Sequence, residues 1–268
     1  MGLKQQVQAQ FGANAAAYAT SAVHAKGASL GRLVELVRPL PHWQVLDIAT
    51  GAGHTAFTFA PHVAQVVAAD LTAEMLGQTR QLAAAKELAN VTVCLADAEE
   101  LPFAGARFDL VTCRIAPHHF PDIGRFLSES VRVLRPGGLL AVVDNVVPGS
   151  RLRGKKADLL HAAGQYVNAF EKLRDPSHNR CLSLDEWAAA FATANCPLQH
   201  QETAQKAMDF DWWATRMQTT PETTTRLRAM LMQAPAPVLA FLTPQVSGDR
   251  ITFHLMEAIL IGSVNRNP

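Results

Sequence analysis

Four cysteines, a net charge of +1 and no long apolar run leave this 268-residue chain without several features that announce a function class. Cys94, Cys113, Cys181 and Cys196 are widely spaced and make neither a Cys-x-x-Cys pair nor a disulfide framework, so they read as reduced packing residues. The near-neutral charge gives no general field for a polyanion, and nucleic acid is not expected as an obligatory partner. No apolar stretch approaches the roughly 20 residues that span a bilayer. The N-terminus is polar and rich in Gln and Ala, without the basic and apolar segments of a leader, and a soluble cytoplasmic protein is expected. There is no internal repeat.

With 49% hydrophobic residues the chain can bury a substantial core, and its length fits one domain with insertions. Over 45–147 short apolar strands alternate with helical stretches, the pattern of a parallel sheet covered on both faces. Strands are expected over 45–49, 66–69, 91–95, 108–115 and 139–146, with a closing strand over 251–264. Thr72 is placed to cap a helix running to about Ala89, and Asp122 a second one carrying Ile123, Phe126, Leu127, Val131 and Leu134, stopped at Pro136-Gly-Gly138. Ser183-Leu-Asp-Glu186 is a capping box, with Leu182 and Trp187 as its staple. Residues 5–37 read as Ala-rich helix broken near Gly12 and Gly27. Arg151, Arg153, Lys155 and Lys156 read as a solvated face at the start of a mostly helical insertion.

The chemistry begins where a strand holding Asp47 runs into a glycine turn. Gly51-x-Gly53-x-x-Ala56 also satisfies the dinucleotide fingerprint, so charge has to separate the ligands. A carboxylate about 5 Å from a pyrophosphate repels each negative charge by roughly 3 kcal/mol at an effective dielectric near 20, whereas it attracts an ammonium or a sulfonium. The alternative is that Asp47 merely accepts hydrogen bonds from the turn.

Asp70 ends the second strand, where an acidic residue can take both hydroxyls of a ribose. Leu71 and Met75 follow and can line a nucleobase face, although Met75 serves equally well as core packing. After the third strand Asp97 can accept from an exocyclic amine while the Ala98 amide meets a ring nitrogen; a plain turn would use Asp97 on its own backbone. Acidic residues thus follow successive strands on the side where open sheets bind ligands.

Leu46-Asp-Ile-Ala-Thr-Gly-Ala-Gly53, Ala69-Asp-Leu-Thr-Ala-Glu-Met75, Ala96-Asp-Ala98, Phe108-Asp-Leu-Val-Thr-Cys-Arg114 and Leu134-Arg-Pro-Gly-Gly138 follow one another in order. Together they resemble class I S-adenosylmethionine-dependent methyltransferases. The run Pro117-His-His-Phe-Pro-Asp122 and the lead-in with Phe11, Tyr18 and His24 look like the branch of ubiquinone and menaquinone biosynthesis methyltransferases and related uncharacterised bacterial small-molecule enzymes.

The resemblance implies an α/β, Rossmann-like, doubly wound, mostly parallel seven-stranded sheet with an antiparallel last strand. It divides one domain into an N-terminal helical lid (1–40), a cofactor-binding core (41–148), a helical insertion (149–197) and the rest of the sheet (198–268). It implies S-adenosyl-L-methionine as cofactor, with S-adenosyl-L-homocysteine as product. Ala49, Gly51, Ala52 and Gly53 would hold the methionine end beside Asp47, Asp70 the ribose, and Asp97 with Ala98 the adenine, whose face Leu71 and Met75 would line. Arg114 occupies a place that often contacts the cofactor. The usual first glycine of the turn is Ala49 here.

In-line methyl transfer needs few catalytic side chains. Where the acceptor is a phenol or an acidic carbon a base helps, and His118 and His119 are the candidates, with Tyr18, His24, Arg174 and His178 for the acceptor itself. No metal is expected, since adjacent histidines without a His-Glu-x-x-His pattern make no recognisable zinc site. Arg114-Ile-Ala-Pro-His-His119 stands where an Asn-Pro-Pro-aromatic sequence would mark methylation of nucleic-acid amino groups. A small-molecule acceptor and a monomer or homodimer are therefore expected. An NAD(P)-dependent oxidoreductase and a non-catalytic cofactor-binding protein are the other readings.

Overall fold

Five stretches with a strand's period line up in parallel: β1 (Gln44–Ile48), β2 (Gln65–Asp70), β3 (Val91–Leu95), β4 (Phe108–Arg114) and β5 (Leu134–Val146). They belong to a computed structural model that describes residues 2–15 and 27–265. The sheet order is β3-β2-β1-β4-β5-β8-β6, in which β8 (Arg250–Ser263) runs antiparallel to β5 and to β6 (Leu198–Asp209). The mostly parallel sheet and its antiparallel last strand are as expected. A short β7 (Gln245–Ser247) pairs with β8 as an eighth strand.

Alternation along each strand assigns the two faces. Val45, Val66, Ala68, Leu110, Ala141, Val143, Ile259 and Ile261 point to one side, where they pack with Leu33 and Val37 of α2 (Ala28–Val37) and Phe57 and Phe59 of α3 (His54–Phe59). Leu46, Ile48, Val67, Val111, Val142 and Leu260 point to the other, against Phe126 and Leu127 of α5 (Ile123–Val133) and Trp187 and Phe191 of α7 (Leu184–Thr193). A third cluster joins α6 (Lys155–Arg174), α8 (Phe210–Thr215), α9 (Pro221–Met232) and α10 (Ala236–Leu242) to the far end of β8.

Two helix ends differ from expectation. Thr72 precedes α4 (Ala73–Ala85) but makes no side-chain cap, and the helix stops before Ala89 because Glu87 takes a left-handed conformation, φ 56°. Leu134 is the first residue of β5 rather than part of α5, pairing with Phe108, so that Pro136 lies inside the strand's irregular start. The Asp122 cap does form, its carboxylate accepting from the Arg125 amide. Arg151, Arg153, Lys155 and Lys156 are exposed.

The capping box at α7 is complete: Ser183 Oγ accepts from the Glu186 amide and Glu186 Oε2 from the Ser183 amide. Trp187, 1% exposed, makes this helix part of the main core. Ser183→Ala should therefore cost about 1 kcal/mol. Thermal unfolding should show it as a midpoint lowered by about 2–4 °C.

Candidate functional site

Strand order reverses beside β1, because the chain builds outward through β2 and β3 and then returns to place β4 on β1's other side. Ligands bind open α/β sheets at such switch points, outside the strand carboxyl ends. Here the chain leaves β1 through Ala49, φ 52°, Gly51, φ 57°, and Gly53, φ 89°, before entering α3. A Cβ on Gly53 would lie 2.4 Å from the Phe57 ring, so this position needs glycine for close packing; Gly51 faces open space. The turn is tied down by Thr50, whose amide donates to the Ala69 carbonyl at 2.9 Å.

Asp47 lies beneath this turn and does not line the cleft. Its Oδ2 accepts from Thr50 Oγ1 at 2.6 Å and the Ala56 amide at 3.2 Å, and its Oδ1 from Thr112 Oγ1 at 2.7 Å. Burial pushes its pKa up to about 6, although the two threonine hydroxyls and the charge of Arg114 oppose the shift. Asp47 therefore sets the shape of the turn and adds a negative charge under it at neutral pH.

Above the turn opens a cleft with about 1010 Å³ of empty space, its mouth included. Ala49, Gly51 and Ala52 form its floor with Thr50 and Thr55. Asp70 stands at one side, Oδ2 accepting from the Gly51 amide and Oδ1 from the Thr72 amide, both at 2.8 Å. Burial raises the Asp70 pKa, and these amides oppose the rise without cancelling it. Each carboxylate oxygen keeps a second lone pair for a ligand hydroxyl.

Leu71, Met75, Ala96 and Ala98 make the next wall, with Asp97 and Glu99 at its rim. Asp97 Oδ1 accepts from the Glu99 amide at 2.9 Å, the plain-turn bond, while its Oδ2 meets Lys4 Nζ at 2.5 Å. Lys4 also pairs with Glu99 at 2.7 Å. It comes from α1 (Leu3–Ala13), whose Val7 and Phe11 also line the cleft and whose Gln8 donates to the Leu71 carbonyl. Arg114, Ile115, Ala116, His119, Phe120 and Pro121 complete the lining; Arg114 Nε donates to Thr55 Oγ1 at 3.2 Å, and the Asp122 amide after Pro121 donates to Glu99 Oε1 at 2.7 Å.

The two adjacent histidines are both buried, and only His119 reaches the cleft. His119 Nδ1 lies 3.0 Å from the Ser177 carbonyl; a carbonyl only accepts, so Nδ1 carries the proton and Nε2 keeps its lone pair. Burial and the neighbouring His118 hold this imidazole well below its ordinary pKa. His118 instead faces Asp144, with Nδ1 2.6 Å from Oδ1 and its amide donating to Oδ2 at 2.9 Å. Burial alone would lower its pKa, but Asp144, by charge and hydrogen bond, with Glu171 and Asp175 behind it, carries it above the ordinary value.

Two of the four residues expected to meet an acceptor, Arg174 and His178, lie elsewhere. Arg174 pairs with Glu171 at 2.9 Å and covers the Trp213 ring, which fixes α6 to the core. His178 is 2% exposed and its Nε2 lies 3.0 Å from Asn168 Oδ1, so it is an interior packing residue. Tyr18 and His24 lie outside the described residues. Lys4, Thr55 and Ile115 enter the cleft without having been singled out; Lys4 is 93 residues from its partner, a separation no local motif encodes.

A family model described as a methyltransferase domain matches residues 45–138. Over 258 residues the chain is 33% identical to the uncharacterized methyltransferase YcgJ of Bacillus subtilis, covering 96% of this chain and 98% of YcgJ. The crystal structure of YcgJ superposes with a TM-score of 0.81 at 31% identity, over 88% of this chain and 98% of that one. The uncharacterized protein YafE of Escherichia coli is 35% identical over 73% of this chain and 90% of its own. Demethylmenaquinone methyltransferase of Deinococcus radiodurans is 40% identical over 114 residues, 41% of this chain and 46% of that enzyme.

Proposed function

We infer that this chain, which belongs to the class I S-adenosylmethionine-dependent methyltransferases, binds S-adenosylmethionine in the cleft above Gly51 and methylates a small molecule. The observation that carries the reading is the meeting of the Gly51 turn, Asp70 and Asp97 around one cleft at the switch point of the sheet. Its lining fits the cofactor chemically. Asp70 presents a carboxylate for ribose hydroxyls, Leu71, Met75, Ala96 and Ala98 an apolar slot for a flat base, and Asp97 an acceptor for its amine. The buried charge of Asp47 under the turn favours a cationic methionine end over a phosphate.

S-adenosylmethionine supplies a methyl group already activated by its positive sulfur, which leaves positioning to the protein. Val7 and Phe11 of α1 roof the cleft and exclude water. His119 Nε2 takes the proton that the acceptor releases, while Ser177 keeps the ring in the tautomer that allows it. His118, tied to Asp144, holds the backbone from which His119 projects.

Calorimetry tests the cofactor. S-adenosylhomocysteine should bind and NADH should not; the reverse would overturn the reading. Asp70→Ala should weaken S-adenosylhomocysteine by roughly 1.5 to 3 kcal/mol, about ten- to a hundredfold in Kd, through loss of charge-assisted hydrogen bonds. An unchanged affinity would remove Asp70 from the site. Release of S-adenosylhomocysteine across a panel of phenols, quinol precursors, amines and thiols then identifies the acceptor atom.

A further inference from the structure

Beyond Arg114 in the cleft, one face of the sheet carries polar side chains, some of which find no hydrogen-bond partner among the described residues. Asn145 on β5 has its Oδ1 buried without a hydrogen-bond partner among the described residues. Glu257 on β8 lies directly opposite Asn145, and Ala204 on β6 directly opposite Glu257. Lys206, two residues beyond Ala204, therefore points to the same face. Arg114 shares it too, because its register partner Val143 precedes Asn145 by two. The row crosses from β4 to β6, roughly 14 Å at the usual spacing between strands.

Neither Lys206 nor Glu257 forms a hydrogen bond or an ion pair within reach of its own side chain among the described residues, although both are half-buried. Burial pulls the Lys206 ammonium below its ordinary pKa; Glu257 opposes that, while Arg114 and Arg216 add to it. Glu171 also opposes the shift, so three cations and two carboxylates gather at this end of the sheet. An ammonium is a donor only, whereas Glu257 and Asn145 Oδ1 accept. Groups of this kind are ordinarily paired when buried, so the row is complementary to a ligand that offers both an anion and a hydrogen donor.

We propose that the methyl acceptor is a small dihydroxylated carboxylic acid, its carboxylate received by Lys206 and its two hydroxyls donating to Glu257 and Asn145. The proposal rests on the reading of the adjoining cleft as the methyl-donor site, with Arg114, which lines that cleft and feels the charge of Glu257, joining the two. A neutral quinol would offer Lys206 no acceptor charge of its own.

The test is calorimetry on the full chain saturated with S-adenosylhomocysteine, with 3,4-dihydroxybenzoate, its neutral amide and benzoate as probes. The acid should bind at least about tenfold tighter than its amide, a preference of the size expected for a charge-assisted pair. Lys206→Met should erase that preference and Lys206→Arg should keep it. Glu257→Gln should instead erase the preference for 3,4-dihydroxybenzoate over benzoate. Binding of S-adenosylhomocysteine reports whether each variant is folded, and its absence in the wild type would overturn the donor reading rather than this one. Equal binding of acid and amide, no binding of the acid at millimolar concentration, or a preference that survives in Lys206→Met overturns the proposal.

Discussion

His119→Ala should lower turnover by about 10²–10⁴-fold, the usual contribution of a positioned general base. Its S-adenosylhomocysteine affinity should stay within roughly threefold of wild type, because the imidazole is held by the Ser177 carbonyl and is assigned to the acceptor rather than to the cofactor. Proton transfer needs Nε2 unprotonated, and burial beside His118 holds the ring below its ordinary pKa. The sign is direct: activity fails only as pH falls through that lowered value. The acid limb of kcat/KM should then lie below about 6.5, where an unperturbed histidine would put it. Single-turnover rates with any acceptor from the panel check the first outcome and a pH series the second. A loss of less than threefold in rate would reduce His119 to a packing residue.

His118 carries a related expectation of the opposite kind. It does not line the cleft, and Asp144 engages both its ring and its amide. Sequence alone presents two equivalent imidazoles at 118 and 119. What distinguishes them is the partner each finds, Asp144 on β5 for one and the Ser177 carbonyl after α6 for the other, and both partners come from distant parts of the chain. Residue type was legible; role was not.

The same division holds across the fold. The Gly51 turn, Asp70 and Asp97 were readable because each is a local device, a strand end followed by a turn or a helix start, and the strand period fixes the end of the sheet at which they emerge. β6 was not readable. Its sequence, LQHQETAQKAMD, has no alternation of apolar residues, since an edge strand pairing only with β8 owes its place to the backbone ladder rather than to a buried face. Lys4 escaped for a different reason: the one charged residue of a short, glutamine-rich helix acquires meaning only when α1 is laid across Asp97 and Glu99. Arg174 and His178 misled in the reverse direction: the first, at the end of α6, and the second, in the Pro-containing loop after it, fold inward onto Glu171 and Asn168.

Asp47→Asn should abolish a component of the pH dependence of stability that the wild type carries. The carboxyl is 1% exposed, and burial lifts its pKa from 3.8 to about 6 despite the hydrogen bonds from Thr50, Thr112 and the Ala56 amide. In the unfolded chain it titrates at its ordinary value, so between those two values the folded state holds the extra proton. Stability from this group is present below the unfolded pKa and is lost as pH rises through the folded one. At about 1.4 kcal/mol per unit the loss amounts to roughly 3 kcal/mol, complete near neutrality. Urea unfolding of both proteins from pH 4 to pH 7 should show the wild type declining relative to the variant across that window; a constant difference would mean that Asp47 is not the group responsible. The carboxylate left ionised at pH 7 is what the turn holds beneath its ligand, and a cation arriving above it should move the titration toward lower pH. Repeating the series with saturating S-adenosylmethionine should narrow the wild-type decline, whereas a ligand presenting phosphate at Gly51 would widen it.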